Sequence, residues 1–267
     1  MIIEWNHHLW HTDTDAYPVD PGARYDPRPI SERGSADPVG DYLDRLDEVG
    51  VDRAVVVQPE PYLGDHQLVI DAVREAPDRL RAVSLFHPRN PDAPGELEAL
   101  VEDHPETFVA TRFHSDEHYM DRFDDDGVRA IWDRAAGLGQ IVELHLSPSW
   151  ASGVAGAIDD YPDTPVVIDH LSEPHHGDAV EYADVLALAE RDNVYMKLSA
   201  LDHFASDPPL YESARTFTRW VVDAFGPDRM VWGKGTPEIV DTHLAGYSDA
   251  DRAQVRGDNL AELVWGE

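Results

Sequence analysis

The 267-residue chain has no cysteine, which excludes disulfides, cysteine-bearing zinc sites and thiol nucleophiles together. Lysine is almost as scarce, with Lys197 and Lys234 the only two. Against 21 basic residues stand 53 acidic ones, a formal net charge of -32. With basic patches in such short supply, nucleic acid and anionic membrane surfaces are excluded as partners. The acids run through every segment rather than gathering in a tail. With lysine avoided, this reads as the surface of a protein from a high-salt cytoplasm, where carboxylates hold hydration and salt screens their repulsion. No apolar run approaches the roughly 18 residues of a membrane span, and no charged leader precedes an apolar core, so a soluble cytoplasmic protein is expected. Gly-rich phosphate fingerprints, of the dinucleotide or P-loop kind, are also missing.

What is present is alternation. Apolar runs of strand length recur along the chain: IIEW, DRAVVVQP, LRAVSLFHP, FVATRFHS, QIVELHLS, TPVVIDHLS, NVYMKLSA and RMVWGKGTP. Their near-continuous Val and Ile content suits strands buried on both faces of a parallel sheet. Between them lie stretches of helical period, from PVGDYLDRLDEVG to the closing SDADRAQVRGDNLAELVWG, several starting after Asp, Ser or Pro and stopping at Gly. Eight alternations in about 250 residues predict an α/β fold, a (β/α)8 TIM barrel spanning residues 1–267 as a single domain. A doubly wound open sheet is the competing architecture. Residues 11 to 37, rich in Pro, Asp, Gly and Tyr and without period, predict a long loop after the first strand, lying over the barrel mouth.

In such barrels the chemistry is carried at the C-terminal ends of the strands. Those ends read Asn6 and His8, Gln58, His87, Arg112 and His114, Glu143 and His145, Asp169 and His170, Lys197 and Ser199, and Lys234. Side chains two apart share a face, so Asn6 goes with His8, Arg112 with His114 and Glu143 with His145. Asn6 and His8 are expected inward, His7 outward beneath the last helix. Converging imidazoles and a carboxylate make a concave polar site fit for a metal or for acid–base work, with His8, His145 and His170 its leading members. A single strand-end histidine can equally be hydrogen-bonded filler, a reading that applies to His87 and His114 as well. His66, His104 and His243 read as surface residues. Each retained lysine ends a strand, where it can bind a carboxylate or, desolvated, act as a base. Packing of the aliphatic stem into the barrel wall is the plainer alternative. In the long loop, Arg24, Tyr25 and Arg28 are candidates to grip an anionic substrate, or simply pair with Asp20 and Asp26.

Taken together, these segments resemble the amidohydrolase-related family, in the branch that includes pyrone-dicarboxylate lactonase, sugar lactonases and metal-dependent decarboxylases. IIEWNHHLW is similar to the family's opening I-D-x-H-x-H-x-W, FVATRFH to its G-V-R segment and VELHL to its Q-x-H strand. VVIDHLSEP resembles D-H-L-G-x-P, VYMKLSA resembles V-Y-x-K-L-S-G, RMVWGKGTP resembles R-x-M-W-G-S-D-W-P, and RGDNLAELVWG the closing G-x-N-A-x-R-L-F. The match also exposes two departures: the first histidine of H-x-H falls on Asn6, and the strand-eight aspartate on Gly235. In metal-dependent members those positions join those of His8 and His145 as ligands. The resemblance therefore implies no more than one weakly bound divalent metal, zinc or manganese, on His8 and His145. The aspartate also takes the proton from the attacking water in the family, which leaves that work to His170, Glu143 or Lys234.

The activity implied is hydrolysis of a small carboxylated or sugar-derived lactone. Arg112, His114, Lys197, Arg24, Arg28 and Asn6 would hold the substrate, His170 or Lys234 would polarise its carbonyl, and His145 or Glu143 would direct water. The alternatives are a metal-assisted hydrolase or non-oxidative decarboxylase, and a barrel that binds a small anion without turning it over. An oligomer is compatible with all of them.

Overall fold

The structure, a computed structural model, describes residues 1–24 and 33–267. Its strands are β1 (Ile3–His7), β2 (Arg53–Val57), β3 (Leu80–Leu85), β4 (Phe108–His114), β5 (Ile141–His145), β6 (Val166–Ile168), β7 (Val194–Leu198) and β8 (Met230–Trp232). All pair in parallel, in sequence order, in one eight-stranded sheet. Helices α1 (Pro38–Val49), α2 (Gln67–Glu75), α3 (Ala93–Asp103), α4 (Asp126–Gly137), α5 (Ala151–Asp159), α6 (Ala179–Ala187) and α7 (Arg215–Phe225) form the successive crossovers. This is the (β/α)8 barrel expected from the alternation, and two of its crossover helices, α1 and α6, start where a short polar side chain satisfies the first N–H groups. Asp37 accepts from the Gly40 N–H at 3.0 Å ahead of α1, and Asp178 with Glu181 forms a capping box on α6.

Two apolar clusters follow from burial on both strand faces. One fills the barrel: Ile3, Trp5, Val55, Val57, Val83, Ala110, Ile141, Val167 and Val231, joined by Leu260 and Ala261 of the C-terminal segment. The other lies between the strands and the helices. After β8 come α8 (Glu238–His243) and α9 (Asp249–Ala253), and the long closing helix read from the sequence is instead broken into two wide π turns, Gln254–Asp258 and Ala261–Trp265. Gly257 sits in the first of them, so close to the chain start that a Cβ there would lie 2.4 Å from the Met1 carbonyl oxygen.

Among the described residues no ladder joins β8 back to β1. The seam is bridged by a side chain. Arg45 of α1 donates through Nη1 to Glu4 Oε1 at 2.7 Å and through Nη2 to the Gly235 carbonyl at 2.9 Å, tying β1 to the segment after β8. Among the described residues no helix is long and apolar enough to cross a membrane.

Candidate active site

The strand ends and the turns that follow them deliver two polar layers. The lower is an ion network inside the barrel. Asp169 accepts from Arg112 Nη2 at 2.6 Å and Nε at 3.0 Å, and from Lys197 Nζ at 2.5 Å. Glu143 Oε1 lies 3.3 Å from both cations, while its Oε2 accepts from the Trp5 indole N–H at 2.6 Å. All four charged side chains are buried. Two cations meet two carboxylates, which is what makes such burial tolerable. Burial, then the Asp169 charge, push the Glu143 carboxyl up to about 7 against Lys197 and Arg112. Burial would raise Asp169 too, but Lys197 and Arg112 outweigh it and hold that carboxyl well below its usual range. The expectation that Arg112 and Lys197 grip a substrate, and that Glu143 directs water, thus meets a different placement. Their charged groups are turned on each other beneath the mouth.

The upper layer is an arc of imidazoles. Ring centroids run His114 to His145 at 5.0 Å, His145 to His170 at 5.7 Å, His170 to His203 at 5.8 Å and His203 to His175 at 5.6 Å. Its centre is Glu173. Oε1 of this buried carboxylate faces His145 Nε2 at 3.3 Å, and Oε2 accepts from His203 Nδ1 at 2.8 Å. Burial alone would raise the Glu173 carboxyl, but the contacts with His145 and His203 hold it below the ordinary range. The same hydrogen bond raises His203. His170 pairs through Nδ1 with Ser199 Oγ at 2.7 Å, and burial keeps it well below the usual imidazole range, hence neutral. His114 is depressed by burial in the same way and stacks on Tyr119.

The backbone that presents Glu173 is unusual. His170, Leu171, Ser172 and Glu173 have φ of 55°, 53°, 59° and 47°, four successive residues in the left-handed region that favours glycine. Each such non-glycine residue costs about 1–2 kcal/mol. The turn is held by burial of Leu171, by the Tyr182 hydroxyl on its carbonyl at 2.7 Å, and by the Ser172 hydroxyl on the Leu146 carbonyl at 3.0 Å.

At the β1–β8 seam lies a cavity of about 330 Å³. Asn6, His8, Arg33, Asp41 and Lys234 are among the residues on it. The strand-one expectation is half met. Trp5, not Glu4, faces the barrel, and Glu4 accepts from the Tyr42 hydroxyl on the helix side. A bulge between Trp5 and His7 then resets the alternation. His7 stacks on Tyr42 at 3.9 Å, outside the barrel as expected but against α1 rather than the last helix. His8 donates from Nδ1 to the Val57 carbonyl at 2.8 Å, and burial depresses it to about 3, so it stays neutral. Asn6 is buried, with its Oδ1 lacking a partner among the described residues. Among the described residues Lys234 and Arg33 make no hydrogen bond or ion pair, and a second cavity of about 250 Å³, lined by Ser199 and Gly235, also reaches Lys234.

Gly235 shows why the family's aspartate is not simply a missing side chain. Its φ is +108°, and a Cβ there would lie 2.7 Å from Ile239 Cδ1. Glycine alone takes such a backbone without strain. Gly235→Asp is therefore expected to lower stability by about 1–3 kcal/mol without raising turnover, checked by urea unfolding beside an activity assay.

Elsewhere, Arg24 pairs with Asp116 and gives its backbone N–H to Glu60, while Arg28 and Tyr25 lie outside the described residues. His66 and His243, read as surface residues, are buried, each with both ring nitrogens hydrogen-bonded. Glu173, His203 and Arg33 were missed. None ends a strand, and only the odd density of histidine in EPHH offers a signal, for Glu173 alone. Among the described residues, two groups bring three ligating side chains within 4.8 Å of one another: His145, His170 and Glu173, and Glu173, His175 and His203. His8 is in neither.

A parallel barrel whose strand ends converge on histidines and carboxylates has its candidate active site at that end. The amidohydrolase family model matches residues 3–263, and the chain belongs to that family, as the motifs implied. It is similar to 4-sulfomuconolactone hydrolase of Hydrogenophaga intermedia, 26% identical over 92% of this chain and 76% of that protein. It is also similar to L-fucono-1,5-lactonase of Burkholderia ambifaria, 27% identical over 82% of this chain and 72% of the relative. Among solved structures, a probable 2-pyrone-4,6-dicarboxylic acid hydrolase from Acinetobacter baumannii, with citric acid bound, superposes with a TM-score of 0.77 at 20% identity, covering 99% of both chains.

Proposed function

We propose that the chain hydrolyses a small anionic lactone without the family's inherited metal ligands. The observation that carries this reading is the seam cavity, where Arg33 and Lys234 stand without a partner among the described residues in a chain of net charge -32. A cation in so acidic a protein finds a carboxylate easily. Two that find none among the described residues, on one cavity, suit an anion supplied by substrate. The lactone is supported by the relatives' names. Uniform acidity supports a salt-rich cytoplasm as the setting.

The chemistry assigned is as follows. His145 gives its Nε2–H to Glu173, which leaves Nδ1 as a lone pair able to take a proton from water, with the carboxylate steadying the imidazolium that forms. The hydroxide attacks the lactone carbonyl. His170, neutral and accepting from Ser199 at Nδ1, offers Nε2–H to the oxyanion. The ring C–O bond then breaks, and the proton held by His145 passes to the departing alkoxide. Lys234 and Arg33 hold the acid group.

The inherited metal positions do not fit an ion in this chain. Asn6 offers only an amide, Gly235 no side chain, and the remaining His8 and His145 fall short of the three protein ligands usual for catalytic zinc. Each charge-assisted hydrogen bond lost costs about 1.5–3 kcal/mol. Lys234→Met should therefore raise KM for a carboxylated lactone roughly 10–100-fold and leave a neutral lactone of the same ring size unchanged. Equal effects on both would remove Lys234 from anion binding.

A further inference from the structure

We infer that Glu173, His175 and His203 form a binding site for a divalent first-row transition ion, zinc foremost, away from the family's inherited metal positions. Glu173 Oε2 lies 2.8 Å from His203 Nδ1 and 3.5 Å from His175 Nδ1, and the three ligand atoms all fall within 4.8 Å of one another. Zinc bonds to nitrogen and carboxylate oxygen run about 2.0–2.2 Å, which sets neighbouring ligand atoms of a tetrahedral site roughly 3.3 Å apart. The two measured separations bracket that value. The remaining one closes by about 1.5 Å at most, as the exposed rings turn about their side-chain bonds.

The donor set points to the kind of ion. Two imidazoles and one carboxylate suit zinc, cobalt or nickel, whereas calcium and magnesium need more oxygens. Three protein ligands leave a fourth position open, and since both rings are exposed while Glu173 is buried, that position faces solvent.

The chain is also built to bring these groups together. Glu173 ends the left-handed run that begins at His170, and a further left-handed residue, Ala200 at φ 52°, opens the turn Leu201–His203. Five non-glycine residues are thus held in a costly conformation where two segments about thirty residues apart meet. Strain kept at a cluster of ligating groups is characteristic of functional sites. Glu173 divides its oxygens, Oε1 toward His145 in the mouth and Oε2 toward the rim, so the rim ion would sit one carboxylate away from the proposed base.

The test titrates Co(II) into chelator-treated protein, reading visible absorption, with Zn(II) as competitor. Binding is read without turnover, so its failure and the failure of the hydrolase reading are separate results. One Co(II) per chain is expected. His175→Ala and His203→Ala should each weaken it by more than the roughly 10–100-fold typical of losing an outer partner of a metal site. His8→Ala should leave it unchanged. Both substituted rings are exposed, and circular dichroism checks that the fold is kept. No cobalt absorption overturns the inference. So does binding that survives both rim substitutions, or binding lost in His170→Ala but kept in His175→Ala, which would assign the ion to the mouth group.

Discussion

Asp169→Asn is expected to lower the free energy of unfolding by about 3–5 kcal/mol, a large share of the roughly 5–15 kcal/mol that holds a typical folded chain. The variant keeps the shape of the side chain and removes one negative charge from the barrel interior. Arg112 and Lys197 are then left on Glu143 alone, 3.3 Å from each and already inclined to hold its proton. Breaking a buried pair costs more than the pair contributed, because the stranded charge has no water to turn to. Urea unfolding measures it. High salt should not rescue the loss, since screening does not reach a buried pair as it reaches surface charges. Adding Lys197→Met to Asp169→Asn should recover part of the stability by rebalancing the network. A loss under 1 kcal/mol for Asp169→Asn would mean that the network is not under electrostatic load.

His145→Ala should reduce kcat for lactone opening by about 10²–10⁴-fold, the range for loss of a positioned general base, with KM changed little. The ring is partly exposed and joined to Glu173 by a single contact at 3.3 Å, so the fold should survive its removal. Single-turnover measurements would show whether the chemical step is the one that falls. A kcat within tenfold of the parent would move the base to another member of the arc.

The barrel was legible because strands covered on both faces must be apolar almost throughout, and the chain repeats that composition between stretches of helical period. The polar strand ends were legible for the same reason, since a charged residue at the end of an apolar run has few other places to go. What they bind was not. Asp169 lies 57 residues from Arg112 and 28 from Lys197 along the chain, and nothing local reveals that these three neutralise one another. Strict alternation put Asn6 and His8 on one inward face, whereas Trp5 faces the barrel and Glu4 the helix side, and the bulge at Asn6, which has no signature in composition, brings His8 inward by a different route. Glu173 was invisible because a left-handed turn made of His, Leu, Ser and Glu has none of the glycines by which such turns are found. Lys234 stood out for the opposite reason: lysine is so rare here that each position carries information.

The seam between β8 and β1 divides the mouth into a stiff part and a compliant one. His114 and His145 are direct partners in the β4–β5 ladder, and the ladders continue through β6 to β7, so the strand ends that carry the inner part of the imidazole arc are spaced by backbone hydrogen bonds. Asn6 and His8 stand on one bank of the seam and Lys234 on the other, with Arg45 as a guanidinium tie between the banks. A side-chain tie stretches and re-forms more readily than a ladder. Under the proposed assignment, bond-making geometry is thus held to a tight tolerance, while the width offered to the acid group can adjust. Substrates that differ in the reach from carbonyl to anion would be sorted mainly by how far Arg45 lets the two banks part.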